Sequence, residues 1–338
     1  MNGLRDSLAM RLQSLWYAPR APWFLLPFAW LFGGVAALRR ALYACGLLRS
    51  TRVAARVVIV GNITVGGSGK TPLVAWLAKE LRAQGVAVGI VTRGYGGKQR
   101  APRLLDADAA GGGFGDEAVW LAREAGVPVA VGRDRVAAAR LLIEAHRPAI
   151  VLADDGLQHY HLARDVEIVA VDAARGFGNG ALLPAGPLRE APARIGRADA
   201  IVVKGAGDPP LPTGPAVFHM RYALAAAVPL AGGPARALAD FRGEPLRALA
   251  AIADPEGFFS ALEAAGLMIE RHSLPDHAPV AAAVAELGTD RPLLMTDKDA
   301  VKLTAPPAHA WRVPLAVAFT EADAAALVAL VRGNDHSH

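Results

Sequence analysis

The chain has 338 residues, of which 53% are hydrophobic and 20% charged, and this composition excludes a wholly disordered, collagen-like or coiled-coil protein. A single cysteine, Cys45, excludes an intramolecular disulfide framework and a cysteine-rich zinc site. The formal net charge is +5, but residues 1–56 hold eight arginines against one aspartate and the remainder is near neutral, so we expect no nucleic-acid partner.

The first 55 residues combine this basic charge with the most apolar part of the chain. Residues 23–38 (WFLLPFAWLFGGVAAL) contain no charge and are interrupted by Pro27 and by the pair Gly33-Gly34. A membrane-crossing helix needs about 20 apolar residues, and no small-residue cleavage site follows. The pattern favours an interfacial helix or helical hairpin with its arginines facing anionic lipid. A hairpin buried against the main domain and a true membrane span are the alternatives.

From residue 56 onward, short apolar runs alternate with helical patterns, which predicts a parallel α/β sheet. The run VVIVGN (57–62) indicates a buried strand, and PLVAWLAKELRAQG (72–85) carries apolar residues at helical spacing. The segment TVGGSGKT (64–71) lies between them. A strand, a glycine-rich loop and a helix in this order predict a phosphate-binding loop (P-loop).

The chemistry of this loop requires its residue types. Glycines let the backbone N–H groups turn inward to phosphate oxygens, Lys70 reaches the β- and γ-phosphates, and the Thr71 hydroxyl binds Mg²⁺. The usual pattern begins with glycine, where this chain has Thr64. The predicted nucleotide-binding residues are Thr64, Val65, Gly66, Gly67, Ser68, Gly69, Lys70 and Thr71.

A second candidate metal ligand follows another predicted strand. The run AIVLADD (149–155) places Asp154 and Asp155 at a strand's carboxyl end, the same edge of a parallel sheet as the P-loop. Their predicted role is to hold Mg²⁺ with Thr71. A pair of solvated loop acids is the alternative.

Other polar residues lie at predicted strand ends or in loops. Asp116, in GDEAVWLARE (115–124), is either a helix N-cap or a catalytic carboxylate, and the local sequence favours the cap. The glycine- and proline-rich loop 176–190 has a length typical of functional loops. The remaining candidates are His159, Arg189, Glu190, Asp276 and His277.

Taken together, these motifs resemble the tetraacyldisaccharide 4′-kinase (LpxK) family, the lipid A 4′-kinases of Gram-negative bacteria. The resemblance covers residues 15–303, and its P-loop pattern TVGGxGKT accounts for Thr64. Leu157 and Asp297 stand where the family pattern has Phe and Glu, and each keeps the chemical type. The matching blocks are GNITVGGSGKTP (61–72), RGYGG (93–97), FGDE (114–117), GRDR (132–135), DDGLQH (154–159), GFGNGALLPAGPLRE (176–190), LPDH (274–277) and TDKDAVK (296–302).

The resemblance implies transfer of the γ-phosphate of ATP, with Mg²⁺, to the 4′-hydroxyl of a tetraacylated glucosamine disaccharide 1-phosphate, which gives lipid IVA. It implies that Asp116 is the catalytic base and that His277 assists it, which requires a second domain to fold over the first. It adds Glu190 to the metal-binding residues Thr71, Asp154 and Asp155. The residues expected to contact substrate or support the site are Arg133, His159, Arg189 and Asp276.

We therefore predict an α/β fold with three parts. Residues 1–55 form a membrane-associated helical segment, residues 56–230 a parallel-sheet domain of the P-loop NTPase type, and residues 231–333 a smaller C-terminal α/β domain. The expected location is the cytoplasmic face of the bacterial inner membrane, in peripheral or monotopic form, with no obligate protein partner. The rival hypothesis is a membrane-associated P-loop ATPase or GTPase switch, although TDKD (296–299) lacks the spacer of a guanine-binding Asn/Thr-Lys-x-Asp element.

Overall fold

A computed structural model describes residues 14–94, 101–105, 113–276 and 278–333. Its α-helices are α1 (Leu26–Ala44), α2 (Lys70–Ala83), α3 (Asp116–Ala125), α4 (Arg135–His146), α5 (Pro255–Ala264), α6 (Ala281–Glu286), α7 (Asp297–Ala300) and α8 (Glu321–Arg332). Its strands are β1 (Arg56–Gly61), β2 (Val88–Thr92), β3 (Arg103–Leu105), β4 (Val129–Val131), β5 (Ile150–Asp154), β6 (Val166–Asp172), β7 (Ala200–Lys204), β8 (Ala216–Leu224), β9 (Val228–Pro229), β10 (Pro245–Ala250), β11 (Met268–Ser273), β12 (Leu293–Thr296), β13 (Ala310–Val313) and β14 (Leu315–Ala318).

The larger of two sheets has the strand order β14-β8-β7-β6-β1-β5-β2-β4-β3. Neighbouring strands from β8 to β4 are parallel, and the edge strands β14 and β3 are antiparallel to their neighbours. Both faces of β1 are buried: Val58 and Val60 pack into one core cluster, Val57 and Ile59 into the other. Helices α2, α3 and α8 cover the first face and α4 covers the second. The predicted α/β class is confirmed.

The smaller sheet has the order β11-β10-β12-β13-β9, in which β9 alone among these strands runs antiparallel to its neighbour. Helix α5 packs Phe258, Phe259 and Leu262 into the core on one face of this sheet. Helix α6 packs Val284 into the core on the other face. This unit is the second α/β domain expected from the sequence.

The division at residue 230 does not follow the two sheets. Strand β9 lies before that point but pairs with β13 in the smaller sheet. Strand β14 and helix α8, assigned above to residues 231–333, return to the larger sheet, where β14 pairs with β8 and α8 buries Leu327 and Val331. A single cut in the sequence misses this return because the pairing of β14 with β8 is long-range.

The apolar N-terminal segment forms one helix that is largely exposed. In an 18-residue stretch of Trp23–Ala44 the mean hydropathy is 1.3 and 6% of the residues are buried, so the segment is long and apolar enough to cross a membrane by length and composition. Trp23 is 80% exposed and Trp30 69%. Pro27 lies in the first turn of α1, where its missing N–H breaks no helical hydrogen bond. The alternative of a segment buried against the main domain is wrong for these residues.

Candidate active site

The P-loop connects β1 to α2 as predicted. Gly69 is the N-cap of α2 in the left-handed conformation, with φ +82°, and a Cβ atom there would lie 2.7 Å from Tyr222 Oη and 2.8 Å from Met220 Cε. The backbone conformation therefore favours glycine at this position, and a Cβ atom would also push aside the ends of these two side chains. Gly66 also has a positive φ, +116°, whereas at Gly67 a Cβ atom would meet nothing within 4 Å.

The first two residues of the P-loop are held by the end of loop 176–190. The Val65 N–H donates to Pro187 O at 2.8 Å, and Thr64 forms an antiparallel bridge with Leu188. Ser68 is buried, with no hydrogen-bond partner for its hydroxyl among the described residues. Thr64 and Val65 thus anchor the loop. The glycines and Lys70 line the helix N-terminus, where anions bind.

Lys70 and Arg189 meet at Asp155, at the carboxyl edge of β5. Lys70 Nζ lies 3.7 Å from Asp155 Oδ1, and Arg189 Nη1 donates to Asp155 Oδ1 and Oδ2 at 3.0 and 3.1 Å. Burial raises the pKa of Asp155, but the positive charges of Lys70 and Arg189 outweigh it and leave that pKa below its ordinary value. The alternative of a solvated acid pair is wrong, because Asp155 is ion-paired and its neighbour Asp154 is buried.

Asp154 and Thr71 form the part of the site that fits a magnesium ion. The Thr71 Oγ1 hydroxyl donates to Asp154 Oδ2 at 3.3 Å, while Asp154 Oδ1 is buried without a hydrogen-bond partner among the described residues. Burial, and next the charge of Glu117, raise the pKa of Asp154 to about 7. A divalent cation would satisfy the unpartnered oxygen and favour the ionised carboxylate. Hydroxyl and carboxylate oxygens are the hard ligands Mg²⁺ prefers.

The four predicted metal-binding residues do not form one cluster. No group of three or more His, Cys, Asp and Glu side chains with metal-binding geometry exists in the described part of the chain. A Mg²⁺ ion held by one or two carboxylates usually keeps several waters and takes phosphate oxygens. Thr71 and Asp154 suit such a site.

Glu190 lies next to α1. Tyr160 Oη donates to Glu190 Oε2 at 2.7 Å, Gln158 Nε2 donates to Oε1 at 3.1 Å, and Arg40 Nη1 of α1 lies 3.3 Å from Oε2. Gln158 also accepts from Arg189 Nη1 at 3.4 Å, which links Glu190 indirectly to Asp155. The role of Glu190 as a metal partner stays a prediction, and its described contacts join α1 to the site.

Arg135, which the sequence reasoning missed, is the arginine of GRDR that reaches the site. Arg135 is buried, and its Nη2 donates to Asp154 O at 3.0 Å, whereas the predicted Arg133 is exposed. Burial lowers the pKa of Arg135 to about 10, against the opposing charges of Asp154 and Asp155. The missed signal was Asp134, which caps α4 by accepting from the N–H of Val136 and so places Arg135 in the first helical turn.

His159 is half-buried at the same edge. Burial, followed by the charges of Arg135 and Arg93, lowers the pKa of His159 to about 4, so its imidazole is neutral near pH 7. A neutral imidazole suits a supporting hydrogen-bonding role. This role remains a prediction.

Asp116 begins α3 and does not cap it. The N-cap is Gly115, which has φ +87° and makes no side-chain cap hydrogen bond. Asp116 and Glu117 both lie in the first turn, where carboxylates interact favourably with the helix dipole. The sequence reasoning also missed Glu117, although it is the last residue of the motif GDE (115–117). Glu117 Oε1 lies 3.4 Å from Lys298 Nζ on α7.

Of the predicted Asp–His pair, the structure describes one member. Asp276 precedes the predicted partner in an exposed turn, and His277 itself lies outside the described residues. The pairing of Asp116 with His277 and the supporting role of Asp276 stay predictions.

Comparison with known proteins identifies the family. The profile of the LpxK family, tetraacyldisaccharide-1-P 4′-kinase, matches residues 21–332. A tetraacyldisaccharide 4′-kinase of Azoarcus sp. is 45% identical over 322 residues, covering 91% of this chain and 92% of its own. One from Dechloromonas aromatica is 44% identical over 336 residues, covering 96% and 98%.

A solved structure agrees with this result. The crystal structure of LpxK from Aquifex aeolicus, described as an "apo" form in complex with ATP, has a TM-score of 0.79 and 28% identity, covering 91% of this chain and 97% of its own. The resemblance seen in the sequence blocks is confirmed. The chain belongs to the tetraacyldisaccharide 4′-kinase family.

Proposed function

We propose that the protein transfers the γ-phosphate of ATP to the 4′-hydroxyl of a tetraacylated glucosamine disaccharide 1-phosphate, and that the acceptor is reached at a membrane surface. The observation that carries the phosphoryl-transfer chemistry is the buried, unpartnered Asp154 Oδ1 beside the Thr71 hydroxyl at the start of α2. Family membership supports the acceptor. Asp154 and Thr71 lie within a fold whose glycine loop and helix N-terminus suit a polyphosphate.

Lys70, Thr71 and Asp154 act on the phosphate side of the reaction. Lys70 is held at the loop by a long ion pair with Asp155, so its ammonium group is available to a β- or γ-phosphate oxygen. Thr71 and Asp154 would hold Mg²⁺, which when bound neutralises charge on the transferring phosphoryl group. Arg189 orients Asp155, and Arg135 fixes the backbone carbonyl of Asp154.

Asp116 acts on the acceptor side. A carboxylate alone is a weak base toward a sugar hydroxyl, and a hydrogen-bonded His277 would orient Asp116 and share the proton. Contact between α3 and α7 supports a role for the second domain, because this contact lies at the turn that carries Asp116. Closure of that domain would exclude water during transfer.

Helix α1 supports docking at a lipid surface. Its exposed apolar side chains include Phe28 and Leu31, which are 61% and 69% exposed. The exposed Arg39 follows them on the same helix, and a basic residue near an anionic bilayer contributes about 1 kcal/mol. Because a four-chain acceptor stays in the bilayer and ATP is cytoplasmic, docking would occur at the cytoplasmic face of the inner membrane.

The test is transfer of labelled γ-phosphate from ATP to the tetraacylated disaccharide 1-phosphate in detergent micelles with Mg²⁺. We expect labelled lipid from the wild type and a loss of at least a hundredfold in Lys70→Ala and Asp116→Ala. Both variants should keep the wild-type thermal transition.

Two results would contradict the proposal. Release of inorganic phosphate by the wild type without labelled lipid would favour the ATPase-switch hypothesis. Unchanged lipid phosphorylation in a folded Asp116→Ala variant would remove Asp116 from the role of base.

A further inference from the structure

An ion pair joins the first turn of α3 to the second domain. Lys298 Nζ, on α7, lies 3.4 Å from Glu117 Oε1, in the first turn of α3. These residues are 181 positions apart in the chain. Lys298 belongs to the block TDKDAVK (296–302), to which the proposed chemistry assigns no role.

Lys298 projects from a short helix that is firmly anchored. The Thr296 side chain caps α7 by accepting from the Asp299 N–H at 3.2 Å. The fully buried Asp299 accepts from the Ala251 N–H at 2.9 Å and pairs with Lys302 at 2.8 Å. The backbone that carries Lys298 is therefore fixed to the core of the second domain.

The first turn of α3, by contrast, has no side-chain cap of its own. Its N-cap is Gly115, which has a left-handed φ of +87° and no side chain to accept from the helix N–H groups. Glu117 is bound from outside the helix, by Lys298. The neighbouring residue in this turn is Asp116.

The pair also balances charge at the phosphate site. After burial, the negative charge of Glu117 is the next cause that raises the pKa of Asp154. Without a partner, Glu117 would place one more negative charge beside a site that must accept a polyphosphate. Lys298 supplies the compensating charge from the other domain.

We propose that Lys298 is a positioning residue for phosphoryl transfer. By binding Glu117 it holds the first turn of α3, and with it Asp116, at the site formed by the P-loop and Asp154. This inference rests on the proposed role of Asp116. It predicts a defect in the chemical step rather than in folding, since a pair whose side chains are each 36% exposed adds little stability.

The experiment measures steady-state lipid phosphorylation by the full-length protein for Lys298→Met, Lys298→Arg, Glu117→Gln and the Lys298→Met/Glu117→Gln double variant. Arg291→Met is the matched control, because the partners of Arg291, Glu270 and Asp290, both belong to the second domain. We expect Lys298→Met to lower kcat about tenfold with each KM within twofold. Lys298→Arg should recover kcat to within threefold, and the double variant should be no slower than the slower single variant.

Several results would overturn the inference: a Lys298→Met kcat equal to that of Arg291→Met, a loss in Lys298→Arg as large as in Lys298→Met, or single-variant losses that multiply in the double variant. Thermal midpoints should stay within about 2 °C of the wild type, and a larger fall in Lys298→Met would also count against it. A wild type that labels no lipid would overturn the proposed function instead, so the two failures are distinguishable.

Discussion

Two adjacent aspartates at the end of β5 have opposite pKa shifts, and their surroundings explain the difference. Asp154 is only 3% exposed, and burial together with the charge of Glu117 raises its pKa to about 7. Asp155 adopts a left-handed φ of +50°, and there Lys70 and Arg189 lower its pKa despite burial. Among the described residues, Asp155 is ion-paired with Lys70 and Arg189, whereas Asp154 accepts from the Thr71 hydroxyl and keeps one oxygen without a partner, which favours Asp154 as the residue that takes an added cation.

Arg135 supports Asp154 through the backbone. Its guanidinium donates to Gly132 O at 2.8 Å and to Asp154 O at 3.0 Å, and this bridges the ends of β4 and β5. A lysine has a single compact donor group and would not reproduce this fork. The buried carbonyls would then lose a partner.

We therefore expect Arg135→Lys to lower the free energy of unfolding by about 1–3 kcal/mol and to reduce kcat at least tenfold. The matched control is Arg133→Lys, two residues earlier and exposed, which should change stability by less than about 0.5 kcal/mol. Urea denaturation and the lipid phosphorylation assay measure both effects. Equal unfolding midpoints for the two lysine variants would contradict this account.

The site residues that could be predicted from the sequence are those marked by a local motif. The prediction failed where the role of a residue depends on whether its side chain is buried. The P-loop (64–71) is predicted by its glycines between a strand and a helix. Asp154 is predicted by its place after an apolar run. The choice between Arg133 and Arg135 depends on which side chain turns inward. That is settled by the capping of α4 by Asp134, a detail that a composition-based prediction does not use.

At the scale of elements, α1 is mostly exposed, with Ala29 its one buried residue, and yet it is tied to the active-site loops. The rings of Tyr43 and Tyr160 lie 5.7 Å apart, and Arg40 pairs with Glu190. Ahead of the helix, Trp16 Nε1 donates to Pro184 O at 2.9 Å. A lipid surface that bound the exposed side of α1 would therefore lie close to the site.

This arrangement predicts that membrane binding depends on the apolar face of α1. The variant Trp30→Ser/Leu31→Ser removes two side chains that are each 69% exposed. Burying one such side chain contributes about 1.5–3 kcal/mol, so we expect the Kd for phosphatidylglycerol vesicles to rise at least tenfold in cosedimentation. Thermal stability should be unchanged, because neither side chain is in the core.

Met268→Ser is the matched control for this experiment. Met268 is 60% exposed and lies on β11 of the smaller sheet, remote in sequence from α1. Its vesicle binding should equal that of the wild type. Equal binding by the α1 variant as well would show that this face does not contact lipid.

At the scale of the whole molecule, the second domain is an insertion into the first. Leu224, at the end of β8, pairs with Leu315, at the start of β14, and the Ala225 N–H donates to Pro314 O at 3.0 Å. The chain thus leaves and re-enters the larger sheet at neighbouring positions. This return could not be predicted from the sequence, since β14 is only four residues long and its partner strand lies about ninety residues earlier.

Such an insertion should be removable. Replacing residues 225–314 with Asn-Gly would connect Leu224 to Leu315 by a two-residue hairpin turn, the type this dipeptide favours. We expect the shortened protein to unfold in one cooperative thermal transition and to bind ATP, because the two cores of the larger sheet remain in place. It should phosphorylate no lipid, because Lys298 and His277 are lost.

Deleting residues 319–333 instead removes the buried Leu327 and Val331, and this control should abolish the transition. A hairpin variant that fails to fold while the α8 deletion folds would show that the second domain is required for the first.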